Sequence, residues 1–328
     1  MLAPMQRDEA DGARFRAGDP RGHYESWFLR GNHPTRRDAF WVRYTIFAPA
    51  GSPDEAEGEL WGIVFREGRE PFTVYERLPL TDAHFAASGL DVRIGDARLW
   101  GEGAGGTCEG RAAQDGRTLR WRLRFADAGA PLLLFPERLY GAPFPKAKAL
   151  VPRPGCRFTG ELVLDGESLE VHGWQGSQNH NWGSKHTDEY AWGQVAGFEG
   201  APEAFLELST ARIHLGPLKT PWLTPLVLRL EGREHRLGAI PRALRNRGSY
   251  ALGQWSFAAR GDGVRLEGTM SAPPEAFARL SYRNPPGGSK VCQNAKVARC
   301  ELRIRRRGEP PRTLVSPHGA AFEVLGDG

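Results

Sequence analysis

Residues 173–194 gather more groups able to do chemistry than any other stretch of this 328-residue chain. Trp174, Trp182, Trp192, His180, His186 and a run of amides sit among glycines, in what reads as a link between two strands. A packed tryptophan buries on the order of 200 Å², so a solvated loop has no use for three of them. Buried amides need hydrogen-bond partners, so a plain apolar core has no use for Gln178, Asn179 and Asn181. The combination predicts a partly closed pocket with an aromatic wall (Trp174, Tyr190, Trp192) and a polar tip (Gln178, Asn179, His180, Asn181).

Two chemistries suit these residues. His180, His186 and Asp188 could form a two-histidine, one-carboxylate metal site. Loop spacing permits it, but no further strong ligand is at hand, and neither a metal nor another cofactor is expected. Alternatively, a carboxylic acid kept neutral by apolar surroundings could act as a proton donor. Glu207, flanked by Phe205, Leu206 and Leu208, is one such acid, and Asp188 is a second. On a strand, Leu206 and Leu208 would pack inward and turn Glu207 out; Phe205 shares its face, so alternation leaves both orientations open. His180 either orients the acid or locks the segment through Asn179 and Asn181.

Asn179-His180-Asn181-Trp182-Gly183, followed by Trp192-Gly193, resembles the lipocalin-like family of carotenoid 1,2-hydratases (hydroxyneurosporene synthases), whose relatives include AttH-type proteins, tocopherol cyclases and yeast survival-factor proteins. Tyr24-Glu25-Ser26-Trp27-Phe28-Leu29-Arg30 and Phe40-Trp41-Val42-Arg43 are similar to that family's N-terminal opening. The resemblance spans about residues 20 to 305 and implies two tandem lipocalin-like β-barrels with a cavity for an apolar, often isoprenoid, ligand. It also implies that His180 and Trp182 assist an acid in a Tyr-x-Asp on a following strand. The nearest match is Phe205-Leu206-Glu207, with Phe in place of Tyr and Glu in place of Asp. Two functions follow: binding of an isoprenoid- or lipid-like molecule without turnover, or acid-catalysed hydration or cyclisation of an isoprenoid. The departure from Tyr-x-Asp favours the first.

The elements that must hold these residues are strands. Gly and Pro number 41 and 25, about a fifth of the chain, and 10 Trp and 16 Phe accompany only 3 Met. Such usage excludes a coiled coil, a helical repeat array and a disordered chain. Trp121, Leu123 and Phe125 alternate with Arg120, Arg122 and Arg124, the pattern of an antiparallel strand with one wet face. Short runs of this kind recur between turn signals, and Asp165-Gly166 between two of them predicts a hairpin. The fold class expected is all-β: two tandem lipocalin-like antiparallel barrel or sandwich domains. Prolines 131, 136, 143, 145, 152 and 154 read as a crossing between them. The expected division is a flexible arm over 1–18, one domain over 19–150 and a second over 151–328. Helix is expected only around Pro241 to Arg245, and Trp27, Trp41, Trp61, Trp100 and Trp121 are expected in the first core.

Other classes are poorly served. Net charge is +5, and the one dense basic run, Arg303 to Arg307, alternates with Leu302 and Ile304 like the wet face of a last strand, so nucleic acid is not an expected partner. No apolar stretch reaches the length of a membrane span or signal peptide, and four scattered cysteines lack zinc spacing, so a cytoplasmic protein with reduced thiols is expected. A Gly-x-x-x-x-Gly-Lys-Ser/Thr phosphate cradle and a Gly-x-Ser-x-Gly nucleophile turn are absent.

Overall fold

The computed structural model describes residues 5–81 and 83–326. The chain is all-β and divides into two units. The first holds residues up to Leu132, Pro143–His186 and Arg283–Ser289. The second holds Leu133–Ala142, Thr187–Tyr282 and the chain from Lys290 on.

The first sheet is built from β1 (His23–Asn32), β2 (Ala39–Ala48), β3 (Glu57–Phe65), β4 (Phe72–Pro79), β5 (His84–Phe85), β6 (Leu90–Ile94), β7 (Ala97–Glu102), β8 (Gly105–Gln114), β9 (Arg117–Ala126), β10 (Leu132–Leu133), β11 (Ala147–Leu164) and β12 (Glu167–Gly183). Its order is β4-β3-β2-β1-β12-β11-β9-β8-β7-β6-β5, with β10 paired to β11. The arginines of β9 face solvent while Leu119, Trp121, Leu123 and Phe125 enter the core, as their alternation predicts. The sheet curls on itself: Tyr44 on β2 donates its hydroxyl to the carbonyls of Arg98 and Glu109 on β7 and β8, and accepts from Trp121 Nε1 on β9 at 2.7 Å. A Cβ at Gly62 on β3 would stand 2.4 Å from Leu119 on β9, so the curl needs a glycine there.

Two sequence expectations meet different facts. The boundary expected between 150 and 151 falls inside β11, which runs through Pro152 and Pro154. The strand tolerates them because its register against β12 shifts between Leu150 and Arg153 and again between Pro154 and Cys156, where the regular ladder is already interrupted. The Asp165-Gly166 hairpin joins β11 to β12 with both turn residues at positive φ, 49° and 91°. Of the arm expected over 1–18, residues 1–4 lie outside the described residues. The rest includes a short helix, α1 (Arg7–Asp11), whose Ala10 and Asp11 are buried. It is an anchored segment, because buried side chains of the sheet need its carbonyls.

The second unit carries β13 (Glu189–Phe198), β14 (Ala201–Arg212), the pair β15 (His214–Leu215) and β16 (Leu218–Lys219), then β17 (Leu226–Leu230), β18 (Arg233–Arg236), β19 (Arg247–Ala251), β20 (Gln254–Gly261), β21 (Val264–Ser271), β22 (Ala278–Arg283), β23 (Ser289–Arg306) and β24 (Arg312–Gly326). The main order is β18-β17-β14-β13-β24-β23-β21-β20-β19, with β22 on β23. A one-turn helix, α2 (Ile240–Ala243), occupies the only place where helix was expected. The core gathers Leu206, Leu208, Leu228, Trp255, Leu266, Leu302 and Phe322. Gly193 on β13 admits the Trp255 ring, which a Cβ would meet at 2.7 Å. The four cysteines are buried and free, and no helix among the described residues is long and apolar enough to cross a membrane.

Candidate functional site

Most of residues 173–194 is strand rather than loop: β12 continues to Gly183, and β13 begins at Glu189. Glycine and amides have weak β propensity, yet β12 is paired on both sides, by β1 and β11. In that register Trp27 stands opposite His180 and Glu25 opposite Trp182, whereas Ser26 stands opposite Asn181 and Phe28 opposite Asn179. Alternation therefore divides the expected single pocket between two faces of one sheet. Trp174, Gln178, His180 and Trp182 share the face of the core, while Ser177, Asn179 and Asn181 share the other. Gly176 is the close point of this pairing, since a Cβ there would come within 1.8 Å of the Arg30 carbonyl oxygen.

On the core face, His180 is fully buried and its partner is an acid that sequence reasoning did not select. Its Nε2 lies 2.8 Å from Glu25 Oε1, and its Nδ1 lies 2.7 Å from the Ala10 carbonyl oxygen beside α1. That carbonyl only accepts, so Nδ1 carries a hydrogen. Glu25 also accepts from the backbone N–H groups of Arg14 and Phe15, both at 2.8 Å, and contacts His23 Nε2 at 3.0 Å. Burial alone would raise this carboxyl, but the hydrogen bonds from His180 and His23 outweigh it and hold it down to about 2. Glu25 is thus a carboxylate at neutral pH, an acceptor facing both imidazoles. The His180 ring stacks on Trp27 at 4.7 Å and tilts against Trp182 at 4.8 Å.

Beside this pair, Arg153 donates to Asp11 Oδ2 at 2.7 Å and to Gln178 Oε1 at 2.9 Å, with both charged side chains buried. Burial pushes the Asp11 carboxyl up and the Arg153 guanidinium opposes that. Trp27 Nε1 donates to the Asp11 carbonyl at 2.8 Å. Trp174 lies deeper, 6.0 Å from Phe40 and edge-on to His33 at 5.5 Å.

The opposite face of the same sheet is also largely shielded, although it is polar. Ser26, Arg30, Trp41, Arg43, Thr45, Ser177 and Asn179 are all buried there. Ser26 and Thr45 hydroxyls lie 3.0 Å apart, Asn179 Nδ2 donates to Ser177 Oγ at 2.9 Å, and the Arg43 guanidinium stands 5.9 Å from the Trp41 ring. Asn181 Oδ1 is buried with no hydrogen-bond partner among the described residues. An unsatisfied acceptor of this kind costs roughly 1–3 kcal/mol, which a ligand hydroxyl would relieve.

In the second unit, Leu206 and Leu208 enter the core while Phe205 and Glu207 occupy the other face of β14. Glu207 is nevertheless buried, accepting from Trp192 Nε1 at 2.7 Å and from Gln194 Nε2, directly across on β13, at 2.8 Å. Lys296 stands 5.5 Å from the Trp192 ring and donates to Glu323 Oε1 at 2.6 Å. Tyr190 is half-buried on the same strand, two residues before Trp192. Asp188 accepts from the His214 backbone N–H at 2.8 Å and so anchors the strand pair β15–β16. His186 is spent in the first unit, stacked 3.9 Å from Tyr24 with Nε2 3.2 Å from the Arg283 carbonyl oxygen. The three residues weighed as metal ligands thus each have their own partners, and no group of three potential ligands occurs among the described residues.

Sequence reasoning missed Glu25, His23, Asp11 and Arg153. One signal was available: in β1, Glu25 shares the parity of Trp27 and Leu29, which marks a charged residue on a core face. Its distance from His180, 155 residues, hides the contact until the strands are paired.

The whole-chain likenesses are to proteins of the lipocalin-like fold. A candidate AttH from Nitrosomonas europaea matches with a TM-score of 0.61 at 13% identity, covering 93% of this chain and 92% of its own. Kievitone hydratase from Nectria haematococca matches at 0.58 with 10% identity, covering 93% and 89%, and CghA with Sch210972 at 0.54 with 11% identity, covering 94% and 89%. In sequence, the uncharacterized Mycobacterium tuberculosis proteins Rv0493c (strain ATCC 25618 / H37Rv) and MT0513 (strain CDC 1551 / Oshkosh) are each 28% identical over 289 residues, 87% of this chain and 82% of theirs. No family model matches. The fold is therefore all-β and lipocalin-like, of the kind seen in hydratase-type and AttH-type structures.

Proposed function

We propose that this chain binds an apolar, isoprenoid- or lipid-like small molecule carrying a hydroxyl, against the face of the first unit that bears Asn181. The observation that carries this reading is the buried, partnerless Asn181 Oδ1, on the face that also bears Ser26 directly opposite, Asn179, and the Phe28 ring 6.1 Å from Trp41. Aromatic surface supplies the apolar contact and a single acceptor orients the polar end, the usual composition of a small-molecule site. Binding takes precedence over turnover at the His180 pair, because a carboxyl held at about 2 is no proton donor near neutral pH. Native mass spectrometry after gentle extraction should find a co-purifying apolar molecule, and farnesol should quench tryptophan fluorescence saturably. Asn181→Ala should weaken farnesol binding about tenfold, the value of one lost hydrogen bond. An unchanged affinity in that variant overturns the site.

A second reading, acid-catalysed hydration or cyclisation of an isoprenoid, is favoured by one observation. Glu207 is a buried carboxyl on a non-core face that also carries the Phe205 and Trp192 rings, the surroundings a carbocation requires. The kievitone hydratase likeness supports it at the level of fold. Turnover of acyclic terpenoids by the wild type, lost in Glu207→Gln, would establish this reading over simple binding.

A further inference from the structure

The second unit holds a groove of about 570 Å³ in which seven of the ten lining residues are arginines. Three of them form a row. Arg260 on β20 is the register partner of Arg265 on β21, which is the partner of Arg305 on β23. Like charges set directly opposite one another on neighbouring strands, about 5 Å apart, destabilise a sheet. One strand position further along the face, Glu267 faces Arg303 and relieves the repulsion; at the row of three no acid is interleaved. Arg265 reaches Glu267 within its own strand, Arg242 is held by Asp262 at 2.8 Å, and Arg306 is bonded to Glu231 and Glu309. Arg245, Arg260, Arg305 and Arg307 have no carboxylate partner among the described residues, and all four are exposed.

The rim is built rather than incidental. The β20–β21 turn is Asp262-Gly263, with φ of 51° and 78°, and Asp262 accepts from the Arg236 backbone N–H as well as from Arg242. Those contacts bring α2, and Arg245 just beyond it, to the end of the row. Guanidinium groups present planar pairs of N–H donors that match the oxygens of phosphate. The outer two members of the row sit about 10 Å apart at the backbone, too far for one phosphate and suited to an anion carrying several.

We propose that this groove is a binding site for a polyphosphorylated anion, taken either as a soluble compound or as the head group of a polyphosphorylated lipid. Inorganic tripolyphosphate should bind and raise Tm at low salt, with affinity falling steeply toward about 0.15 M salt, and orthophosphate should bind far more weakly. The Arg260→Gln/Arg305→Gln double variant should weaken tripolyphosphate at least tenfold while its ligand-free Tm equals or exceeds that of the wild type, because the row has lost its repulsion. Binding to phosphatidylcholine vesicles only when they contain phosphatidylinositol bisphosphate would identify the lipid head group as the source; tripolyphosphate binding without vesicle binding would identify a soluble anion. Undiminished tripolyphosphate binding by the double variant, equal binding of orthophosphate, or tighter binding of single-stranded RNA than of tripolyphosphate overturns the proposal.

Discussion

Glu25 illustrates what a buried carboxylate requires. It leaves water entirely, and in exchange receives two backbone N–H groups and two imidazoles. Its carboxyl stands near 2 against 4.5 when free, so the folded state binds its proton more weakly than the unfolded state. Stability from this group is therefore complete above about pH 4.5 and drains away as pH falls toward 2, by about 3 kcal/mol in all. Glu25→Gln should lose that acid limb and, at neutral pH, should be destabilised by about 3 kcal/mol because two imidazoles and the 14–15 backbone lose a charged acceptor. Urea unfolding midpoints measured from pH 7 to pH 2 check both points. Parallel curves for variant and wild type would show that Glu25 does not carry the acid sensitivity.

At the scale of elements, the decisive feature is that α1 and residues 10–15 complete the first sheet. Ala10 and Asp11 carbonyls satisfy His180 and Trp27, and the Asp11 side chain satisfies Arg153. Asp11→Ala leaves a guanidinium buried and short of a counter-charge, a loss of about 3–5 kcal/mol. The segment should then detach, so that trypsin cuts at Arg7, Arg14 or Arg16 at a temperature where the wild type resists; an unaltered digestion pattern refutes the anchoring role. None of this was legible in a polar N-terminus, because its value lies in backbone carbonyls, which have no sequence signature. What was legible rests on side-chain alternation and turn chemistry: β9, the Asp165-Gly166 hairpin and the one-turn helix at Ile240–Ala243. The continuation of β12 through Gly176 and Asn181 was hidden, since pairing on both flanks overrides poor local propensity. Composition singled out the 173–194 segment as a place where aromatic rings and amides gather. Its division between two faces follows from a strand period that could be applied only once the strand was known.

For the whole molecule, the two units own separate apolar cores, one around Tyr44, Leu99 and Trp121, the other around Leu208, Trp255 and Leu302. Each core is enclosed by strands of a single sheet, so a cavity opened in one removes contacts from that sheet alone. Leu99 and Leu302 are both fully buried, and truncation of either to alanine should cost about 2–5 kcal/mol. Hydrogen exchange read by mass spectrometry locates where that cost is felt. Leu99→Ala should accelerate exchange in the strands of the first sheet, including β11 and β12 although they follow β9 by more than twenty residues. Leu302→Ala should accelerate it in β14, β17, β20, β21 and β24, whose buried residues share its core. The placement of β11 and β12 makes this more than a statement about sequence halves: a boundary near residue 150 predicts that they respond to Leu302→Ala, whereas the sheet order predicts that they respond to Leu99→Ala. An equal response of all strands to either variant would mean that the chain unfolds as one cooperative body despite its two cores.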